Sequence, residues 1–439
     1  MSELYALFRN VRLVDPERGR TEGCDVLGVR RDRTSEILKI GKNIRTGGLE
    51  RISVVNLHGL HACLPFTDLR CRIPDPGFPY RESLESGLDA ACAGGFGRVL
   101  LMPAMKPAPE TKNAVSAFLR RASDAGLCRA EIAAFQTKGG KGLAPSAYEE
   151  LRNAGVAAIC GDFEEKEPCA FPTVSAVRAC AELGMLYIAP SVKKSVAEKG
   201  AVAAGRIASF LGVGGIDPLG ELLAVREAIA VSEECACPVH IPLVTMKKSL
   251  ELISAAKERG VRVTCATAAP YFAFNENELL LSGGRAKFSP PLRREEDRLA
   301  IIEGLSDRTI DCIVSDHTPL SKDEKSGGVA RALPGAIGFE TTLAAGITYL
   351  VLPGYLPLAR LVELLSCAPA KLLGKECSVR VGGPLDLIFF DPEEEWVYSS
   401  NTLRSRSCNT PFLGMALRGR VASAIIGGVR KDYGEIGKN

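Results

Sequence analysis

Eight short apolar runs alternate with longer stretches of helical character between about Pro65 and Gly374. Such alternation of short buried strands with helices is typical of parallel βα units, and eight parallel strands indicate a closed barrel. The runs are PFTDL, RVLLMPA, EIAAFQT, VAAICGD, LYIAPS, PVHIPLV, RVTCATAA and DCIVSD. The sequence therefore predicts an α/β protein built on a (β/α)8 TIM barrel.

Strand-like segments stand at both ends of the chain. The N-terminal segments are separated by Asp-Pro, Arg-Gly and Gly-Gly turn signals, and strand-like segments return in DLIFFDP, EWVYSS and RGRVASAIIGGVRKDYG. Neither end alone has enough strands to bury one face. We therefore predict that residues 1–58 and 376–439 form one small β-sandwich-like domain, with a barrel over residues 59–375 inserted between its halves.

Composition excludes several classes of protein. The 439 residues are 46% apolar and 24% charged, with a net charge of +3, so neither a nucleic-acid surface nor an acidic-lipid surface is indicated. No run reaches the ~18 apolar residues of a membrane span, and no signal-peptide pattern is seen, so we expect a cytoplasmic protein. The fifteen cysteines include no Cys-x-x-Cys and are expected to be reduced core residues.

The first predicted barrel strand carries an unusual pair of arginines. In LPFTDLRCRIPDPG, Arg70 and Arg72 stand two residues apart, which on a strand means the same face. Both guanidinium groups are therefore expected at the top of the barrel interior, where enzymes of this fold keep their chemistry.

Eight motifs spread along nearly the whole chain carry a family resemblance. They are LHGLHACLPFTDL leading into DPG, AACAGGFGRVLLMPAMKP, SPPLRREEDRLAIIEGLSDRTIDCIVSDHTPL, DEK, GAIGFETTL, APAKLLG, GGPLDLIFFDP and SCNTPFLGMALRGRV. Together they resemble the dihydroorotase family of cyclic amidohydrolases. PPLR at 290–293 and NTPFLG at 409–414 favour this family over the related dihydropyrimidinases. The resemblance implies a metal-dependent barrel of the amidohydrolase type, with a β domain built from both ends.

The resemblance also implies where a zinc site would lie. Histidine ligands of the family fall at Arg70, Arg72, Ala189 and Leu243, a bridging ligand falls at Gly161 beside Asp162, and the metal-binding and proton-shuttling aspartate is kept as Asp316. A guanidinium cannot be a ligand, and zinc catalysis needs about three protein ligands plus an open position. We therefore predict no zinc or other cofactor, and a vestigial Asp316.

Two substrate contacts that the resemblance implies are also replaced. The arginine that grips the substrate carboxylate falls at Pro74, and the asparagine of a Met-Pro-Asn motif falls at Ala104. We predict that no catalytic, metal-binding or substrate-binding set is intact.

The arginines allow two interpretations. They form an anion-binding pair, since arginine forks match carboxylate or phosphate, or they fill the vacated metal volume and neutralise Asp316 or Asp162. We favour the second, because the eighth strand closes the barrel against the first, and a buried aspartate without its cation is costly. An ion pair between Asp316 and Arg70 or Arg72 is predicted.

Other polar residues receive less specific interpretations. His240 and His317 are predicted to be satisfied structural histidines, and His58 and His61 to lie at the surface or a domain junction. Lys193, Lys194 and Lys199 are predicted to form a solvated face.

Three functional hypotheses remain. The first is a non-catalytic scaffolding or regulatory subunit in pyrimidine biosynthesis that associates with aspartate carbamoyltransferase, as some non-catalytic members of the resembled family do. The second is a divergent amidohydrolase that uses Asp316 with altered or no metal. The third is a self-assembling structural protein, like non-catalytic dihydropyrimidinase relatives, so that a homo-oligomer is expected.

Overall fold

The computed structural model describes residues 3–16, 19–32, 34–161, 170–197 and 200–434. Their strands are β1 (Glu3–Asp15), β2 (Arg20–Arg31), β3 (Thr34–Gly41), β4 (Ile52–Asn56), β5 (His61–Cys63), β6 (Phe66–Cys71), β7 (Phe96–Leu101), β8 (Arg129–Phe135), β9 (Ala158–Cys160), β10 (Leu186–Ile188), β11 (Val202–Ala203), β12 (Gly215–Ile216), β13 (Val239–Ile241), β14 (Val263–Ala268), β15 (Cys312–Val314), β16 (Leu387–Val397), β17 (Ala416–Ile426) and β18 (Val429–Asp432).

The helices of the same residues follow the barrel strands in most units. They are α1 (Leu84–Ala93), α2 (Lys112–Ala125), α3 (Tyr148–Ala154), α4 (Ala170–Leu183), α5 (Lys194–Ala197), α6 (Arg206–Leu211), α7 (Leu219–Cys235), α8 (Lys247–Glu258), α9 (Ala269–Ala273), α10 (Glu278–Ser282), α11 (Glu295–Ser306), α12 (Lys322–Lys325), α13 (Gly328–Arg331), α14 (Thr342–Gly346), α15 (Leu358–Leu365) and α16 (Cys367–Leu372). Short 3-10 or π turns cover Lys138–Gly140, Gly283–Ala286, Phe339–Thr341 and Ile347–Val351.

Eight parallel strands form the barrel, in the order β15-β14-β13-β10-β9-β8-β7-β6. All eight predicted runs contribute a strand, so the predicted barrel is confirmed. The seam between the last strand and the first is bridged just beyond β15, where Cys71 pairs in parallel with His317. The Arg72 amide donates to the His317 carbonyl at 2.8 Å across the same seam. The carboxyl ends of β6 and β15 therefore lie side by side.

The two ends of the chain share a second sheet, in the order β18-β17-β16-β5-β1-β2-β3, with β4 also paired to β1. The prediction of one β unit built from both termini is confirmed. Strand β5 lies beyond the predicted boundary at residue 58, yet it pairs with β1 and β16. Its three residues are too short for a clear alternating pattern. The segments DLIFFDP and EWVYSS, predicted separately, join in β16, whose register shifts between Asp391 and Glu395.

Local sequence signals account for where two of the helices begin or end. Helix α1 begins at a capping box of Ser83 and Ser86, and α3 ends at Gly155, whose φ of +108° suits a residue without a Cβ. Each described cysteine is a free thiol, most of them buried, as predicted. None of the described helices combines the length and apolar character needed to cross a bilayer.

Candidate functional site

A buried ion pair joins the two sides of the barrel seam. Arg70 Nε donates to Asp316 Oδ1 at 3.0 Å, and the two side chains are 4% and 9% exposed. Arg72 Nη1 lies 3.6 Å from the same oxygen and donates to Thr318 Oγ1 at 3.1 Å. The predicted pairing of Asp316 with these arginines is confirmed. The Arg72 side chain stays 28% exposed.

A second buried aspartate holds the seam in register. Asp68 Oδ1 accepts from the backbone amides of Arg70 at 3.0 Å and Ser315 at 3.1 Å, and Asp68 Oδ2 is hydrogen bonded to the Ser315 hydroxyl. Burial raises the Asp68 pKa to about 7, although these hydrogen bonds oppose the shift. Because Asp68 fixes β6 against the end of β15, it positions Arg70 opposite Asp316.

His317 is directed away from the arginines into a packed junction. Its ring stacks on Phe339 with centroids 4.0 Å apart, its Nδ1 accepts from the Gly338 amide at 3.3 Å, and its Nε2 lies 3.6 Å from Glu82 Oε2. Because Nδ1 accepts from an amide, the proton on Nε2 faces Glu82. The contacts agree with a structural role for His317, but its buried Nε2 has no partner within hydrogen-bond distance among the described residues, so the predicted satisfied histidine is confirmed only in part.

Glu82 is the neighbour of His317 that could not be identified from the sequence. This fully buried carboxylate also binds the hydroxyls of Ser86 and Ser405 and accepts from the Arg406 amide at 3.1 Å. Burial raises the pKa of Glu82, but the His317 ring and these hydroxyls together lower it by more than burial raises it. The net shift of the Glu82 pKa is therefore downward. Glu82 thus links the loop before α1 to the segment after β16.

The prediction for His240 is only half right. Its Nδ1 lies 2.9 Å from Thr264 Oγ1, but its buried Nε2 has no hydrogen-bond partner among the described residues. Burial lowers the His240 pKa to about 3, so the ring is neutral at physiological pH. His58 is exposed, and His61 lies on β5 with its ring 5.7 Å from that of Phe390, as predicted for a surface and a junction residue.

The described residues do not fit the zinc that the resemblance implies. Ala189 and Leu243 are buried apolar side chains, and a Cβ on Gly161 would meet Pro190 Cδ at 2.7 Å. Within the described ranges, no group of three His, Cys, Asp or Glu side chains is arranged to hold a metal ion; Asp162 lies outside them. Zinc requires thiolate, imidazole or carboxylate donors, and the Asp316 carboxylate accepts from a guanidinium instead.

The arginines open onto a cleft of about 390 Å³ at the barrel mouth. Its lining residues are Arg70, Arg72, Met102, Pro103, Ala104, Phe135, Ser191, Val192, Lys194, Ser289, Asp316, Thr318, Pro334 and Gly335. Ala104 presents only a methyl group there. Pro74 is not part of this lining, and its carbonyl accepts from the Phe78 amide at 2.7 Å. The two positions implied for substrate contact thus provide no side-chain donor.

Lys194 and Ser191 are cleft residues that the sequence analysis missed. Lys194 is exposed, as predicted, and it also lines the cleft, whereas Lys193 is half-buried and forms an ion pair with Glu227. Lys199 lies outside the described residues. Ser191 is 5% exposed, and its hydroxyl has no hydrogen-bond partner in the described structure. Their place after the fifth barrel strand, at its carboxyl end, was the available signal.

Comparison with known proteins finds full-length relatives that are all named dihydroorotase. The chain is 33% identical to the dihydroorotase of Aquifex aeolicus over 435 residues, which is 98% of this chain and 100% of that protein. It is 33% identical to the dihydroorotase of Trichlorobacter lovleyi over 424 residues, covering 96% and 98% of the two chains. No family model matches the chain.

Solved structures support the same fold. L-hydantoinase (dihydropyrimidinase) from Arthrobacter aurescens superimposes with a TM-score of 0.84 at 23% identity, over 98% of this chain and 97% of that one. A D-hydantoinase gives a TM-score of 0.82 at 21% identity, over 99% and 97%. These likenesses show the fold, and the full-length sequence identity shows the family. The chain therefore belongs to the dihydroorotase family of cyclic amidohydrolases.

Proposed function

We propose that this chain is a non-catalytic dihydroorotase homologue that serves as a scaffolding or regulatory subunit in pyrimidine biosynthesis, with aspartate carbamoyltransferase as its partner. The observation that carries the proposal is the pair of Arg70 with Asp316. The aspartate that would help to hold a metal accepts a hydrogen bond from a cation instead.

The chemistry of the reaction supports this interpretation. Hydrolysis of a cyclic amide needs an activated water, and metal ions supply one at neutral pH by lowering the pKa of bound water. Asp316 is the one carboxylate among the described residues that line the cleft, and its Oδ1 is shared by Arg70 and Arg72. A general base must reach the proton that it abstracts, and here the guanidinium groups compete for that oxygen.

Metal analysis combined with a dihydroorotate hydrolysis assay tests the loss of catalysis. The purified full-length chain is supplemented with zinc, dialysed, analysed for bound metal and assayed. We expect no stoichiometric zinc and no turnover above that of a buffer blank. Bound zinc together with turnover would overturn the proposal.

Association with the transferase is a separate test. The chain and the carbamoyltransferase of the same organism are mixed at physiological concentration and analysed by sedimentation velocity. We expect a complex that is heavier than either protein alone. Migration as separate species would count against the partnership, and a homotetramer indifferent to the transferase would favour a self-assembling structural protein.

A divergent amidohydrolase is the second candidate. It is favoured by the names of the full-length relatives, which are dihydroorotases, and by Asp316, which still lines the cleft. Under this hypothesis an assay of cyclic amides detects a turnover that Asp316→Asn abolishes. The scaffold hypothesis expects no turnover in either protein.

A further inference from the structure

Two lysines from different segments meet beside α12, the short helix that follows β15. Lys325, the last residue of α12, donates from Nζ to the carbonyl oxygens of Leu333 at 2.9 Å and of Lys287 at 3.3 Å. Lys287 donates from its own Nζ to the carbonyl oxygens of Val329 at 2.9 Å and Ala330 at 3.3 Å. The two side chains therefore converge on α13 and the residues just after it.

Within the described ranges, no carboxylate pairs with either lysine, and the hydrogen-bond acceptors of both Nζ atoms are backbone carbonyls. Glu324 precedes Lys325 in the sequence, but it pairs with Arg81. The two ammonium groups therefore approach each other without an ion-paired carboxylate between them. The other charged residues of the surrounding segments are exposed or cationic, namely Lys322, Asp323, Arg285 and Arg331.

This arrangement favours the uncharged amine of Lys325. Burial disfavours a charged amine, and a neighbouring cation disfavours it further. Burial first and the charge of Lys287 second lower the pKa of Lys325 to about 7. About half of the Lys325 side chains therefore carry a free amine at pH 7, against roughly one in 2,500 for a lysine with the usual pKa of about 10.4. A lysine that is desolvated beside another cation is an activated nucleophile.

The two lysines differ in their access to solvent. Lys287 is only 9% exposed, whereas Lys325 is half-buried and is followed by the exposed residues Ser326 and Gly327. A small reagent can therefore approach the Nζ atom of Lys325 far more easily than that of Lys287. Lys287 acts on the reaction through its charge.

We propose that Lys325 is a site of covalent acylation by activated acyl donors of the acyl phosphate class. The lone pair of Nζ attacks the acyl carbonyl carbon, and a C–N bond forms while the C–O bond to phosphate breaks. Phosphate leaves with the electron pair of that bond, and one proton passes from Nζ to solvent. Acylation removes the positive charge beside Lys287.

The surroundings of Lys325 suit an uncharged product. The ammonium group of Lys287 opposes a second cation at this position, and the carbonyl oxygens around Nζ oppose an anion. An amide is neutral, and its one N–H can still donate to the Leu333 carbonyl. Neither lysine lines the cleft at the barrel mouth, so this site goes beyond the proposed function and is independent of it.

Peptide mapping by mass spectrometry tests the site on the full-length chain treated with acetyl phosphate. Lys322, which is exposed on the same helix, is the internal control. We expect Lys325 to react about tenfold faster than Lys322 at pH 7, because its larger fraction of free amine is offset only in part by the weaker nucleophilicity of a less basic amine. The Lys325 rate should level off above about pH 8, whereas the rate of an exposed lysine keeps rising to about pH 10.

Two substitutions of Lys287 separate its charge from its hydrogen bonds. Lys287→Arg keeps the positive charge and the N–H donors, whereas Lys287→Gln keeps donors without the charge. We expect Lys287→Gln to slow the acylation of Lys325 at pH 7 by about threefold, since the pKa of the amine rises when the neighbouring cation is removed. Lys287→Arg should stay close to the parent rate, and circular dichroism verifies the fold of both variants.

Equal rates for Lys325 and Lys322 at pH 7 would overturn the site, as would a Lys325 rate that keeps rising to about pH 10. If a Lys287 variant fails to fold, this pH profile of the parent chain decides by itself. A rate that Lys287→Gln leaves unchanged would contradict the activation by Lys287. Each of these results is separate from the metal analysis and the sedimentation experiment, which test the proposed function.

Discussion

Arg70 is a permanent cation that pairs with the buried carboxylate of Asp316 across the barrel seam. Removing one partner of a buried pair typically costs about 3 to 5 kcal/mol because the other charge stays behind, and Arg72, 3.6 Å from the same Asp316 oxygen, offsets only part of that charge. We expect Arg70→Met to lower the free energy of unfolding by about this amount, measured by urea denaturation. The double variant Arg70→Met/Asp316→Leu should recover much of the loss, because it leaves no buried charge behind.

A surface arginine provides the control for this prediction. Arg308 pairs with Glu363, but its side chain is 66% exposed, and exposed pairs contribute about 0 to 1 kcal/mol. Arg308→Met should therefore change the unfolding free energy far less than Arg70→Met. Equal effects of the two substitutions would contradict the importance of the seam pair.

The buried Asp68 makes the folded protein less stable as pH rises, whereas a carboxylate whose pKa is lowered by folding has the opposite effect. Burial raises its pKa from 3.8 to about 7, so the folded protein keeps a proton that the unfolded chain has already released. The resulting stability is fully present below pH 3.8 and is lost as pH rises toward the folded pKa. Asp68→Asn cannot ionise and keeps an acceptor for the Ser315 amide. Its stability relative to the parent protein should rise between about pH 4 and 7 and then level off.

Urea midpoints measured across this pH range check the expectation. Glu340, whose pKa burial also raises to about 7, acts in the same direction in both proteins and therefore cancels in the comparison. A constant difference between the parent and Asp68→Asn at all pH values would contradict the buried, protonated state of Asp68.

The sequence was sufficient to predict the ion pair at the barrel seam, but it did not predict which residues line the cleft at the barrel mouth. Arg70, Arg72 and Asp316 could be placed together because strand order fixes which strands meet at the seam. Lys194, Ser191 and Glu82 could not, since each lies outside the regular barrel strands, where strand order does not fix which side chains come together. The unsatisfied Nε2 of His240 is likewise invisible until the residues around its ring are known.

Elements at the barrel top are packed too closely for added atoms. A Cβ on Gly338 would lie 2.1 Å from the Ser315 carbonyl oxygen. Gly338→Ala should therefore displace the end of β15 and lower the unfolding free energy by about 1 to 3 kcal/mol, as overpacking usually does. Urea denaturation measures the change.

Gly41→Ala is a suitable comparison, because no atom lies within 4 Å of the added Cβ at the end of β3. We expect this variant to match the parent protein in stability. If Gly338→Ala behaved like Gly41→Ala, the close contact between residues 338 and 315 would not be present in solution.

At the level of elements, apolar patterning was most informative where strands are long or fully buried. Each of the eight barrel runs became a strand, and the N-terminal strand-like segments became β1 to β4. The three-residue strand β5 was missed because a pattern of period two cannot be recognised over so few positions. Pairing with β1 and β16, rather than local propensity, makes it a strand.

At the scale of the whole molecule, the C-terminal strands complete the N-terminal ones. Leu387, Phe389 and Ile425 share a buried cluster with Phe8 and Val26. A chain that ends at Gly374 would expose this cluster and leave β5 without its antiparallel neighbour. We expect the truncated chain to aggregate, as judged by its soluble fraction and circular dichroism.

Co-expression of residues 375–439 as a separate fragment is the control for truncation. The fragment should restore soluble protein, because it supplies β16 to β18 and the Asp386 carboxylate that pairs with Arg129 at 2.7 Å. A truncated chain that is soluble and unfolds cooperatively by itself would contradict the composite sheet.

The seam of the barrel also bears on the kinetics of folding. Arg70 and Asp316 are separated by 246 positions, and contacts between such distant residues carry a large loop-closure entropy and tend to form late. Interactions that form after the rate-limiting barrier govern unfolding more than folding. We therefore expect Arg70→Met to accelerate unfolding in stopped-flow experiments while the refolding rate stays nearly unchanged. The ion pair across the barrel seam would then control the lifetime of the native state.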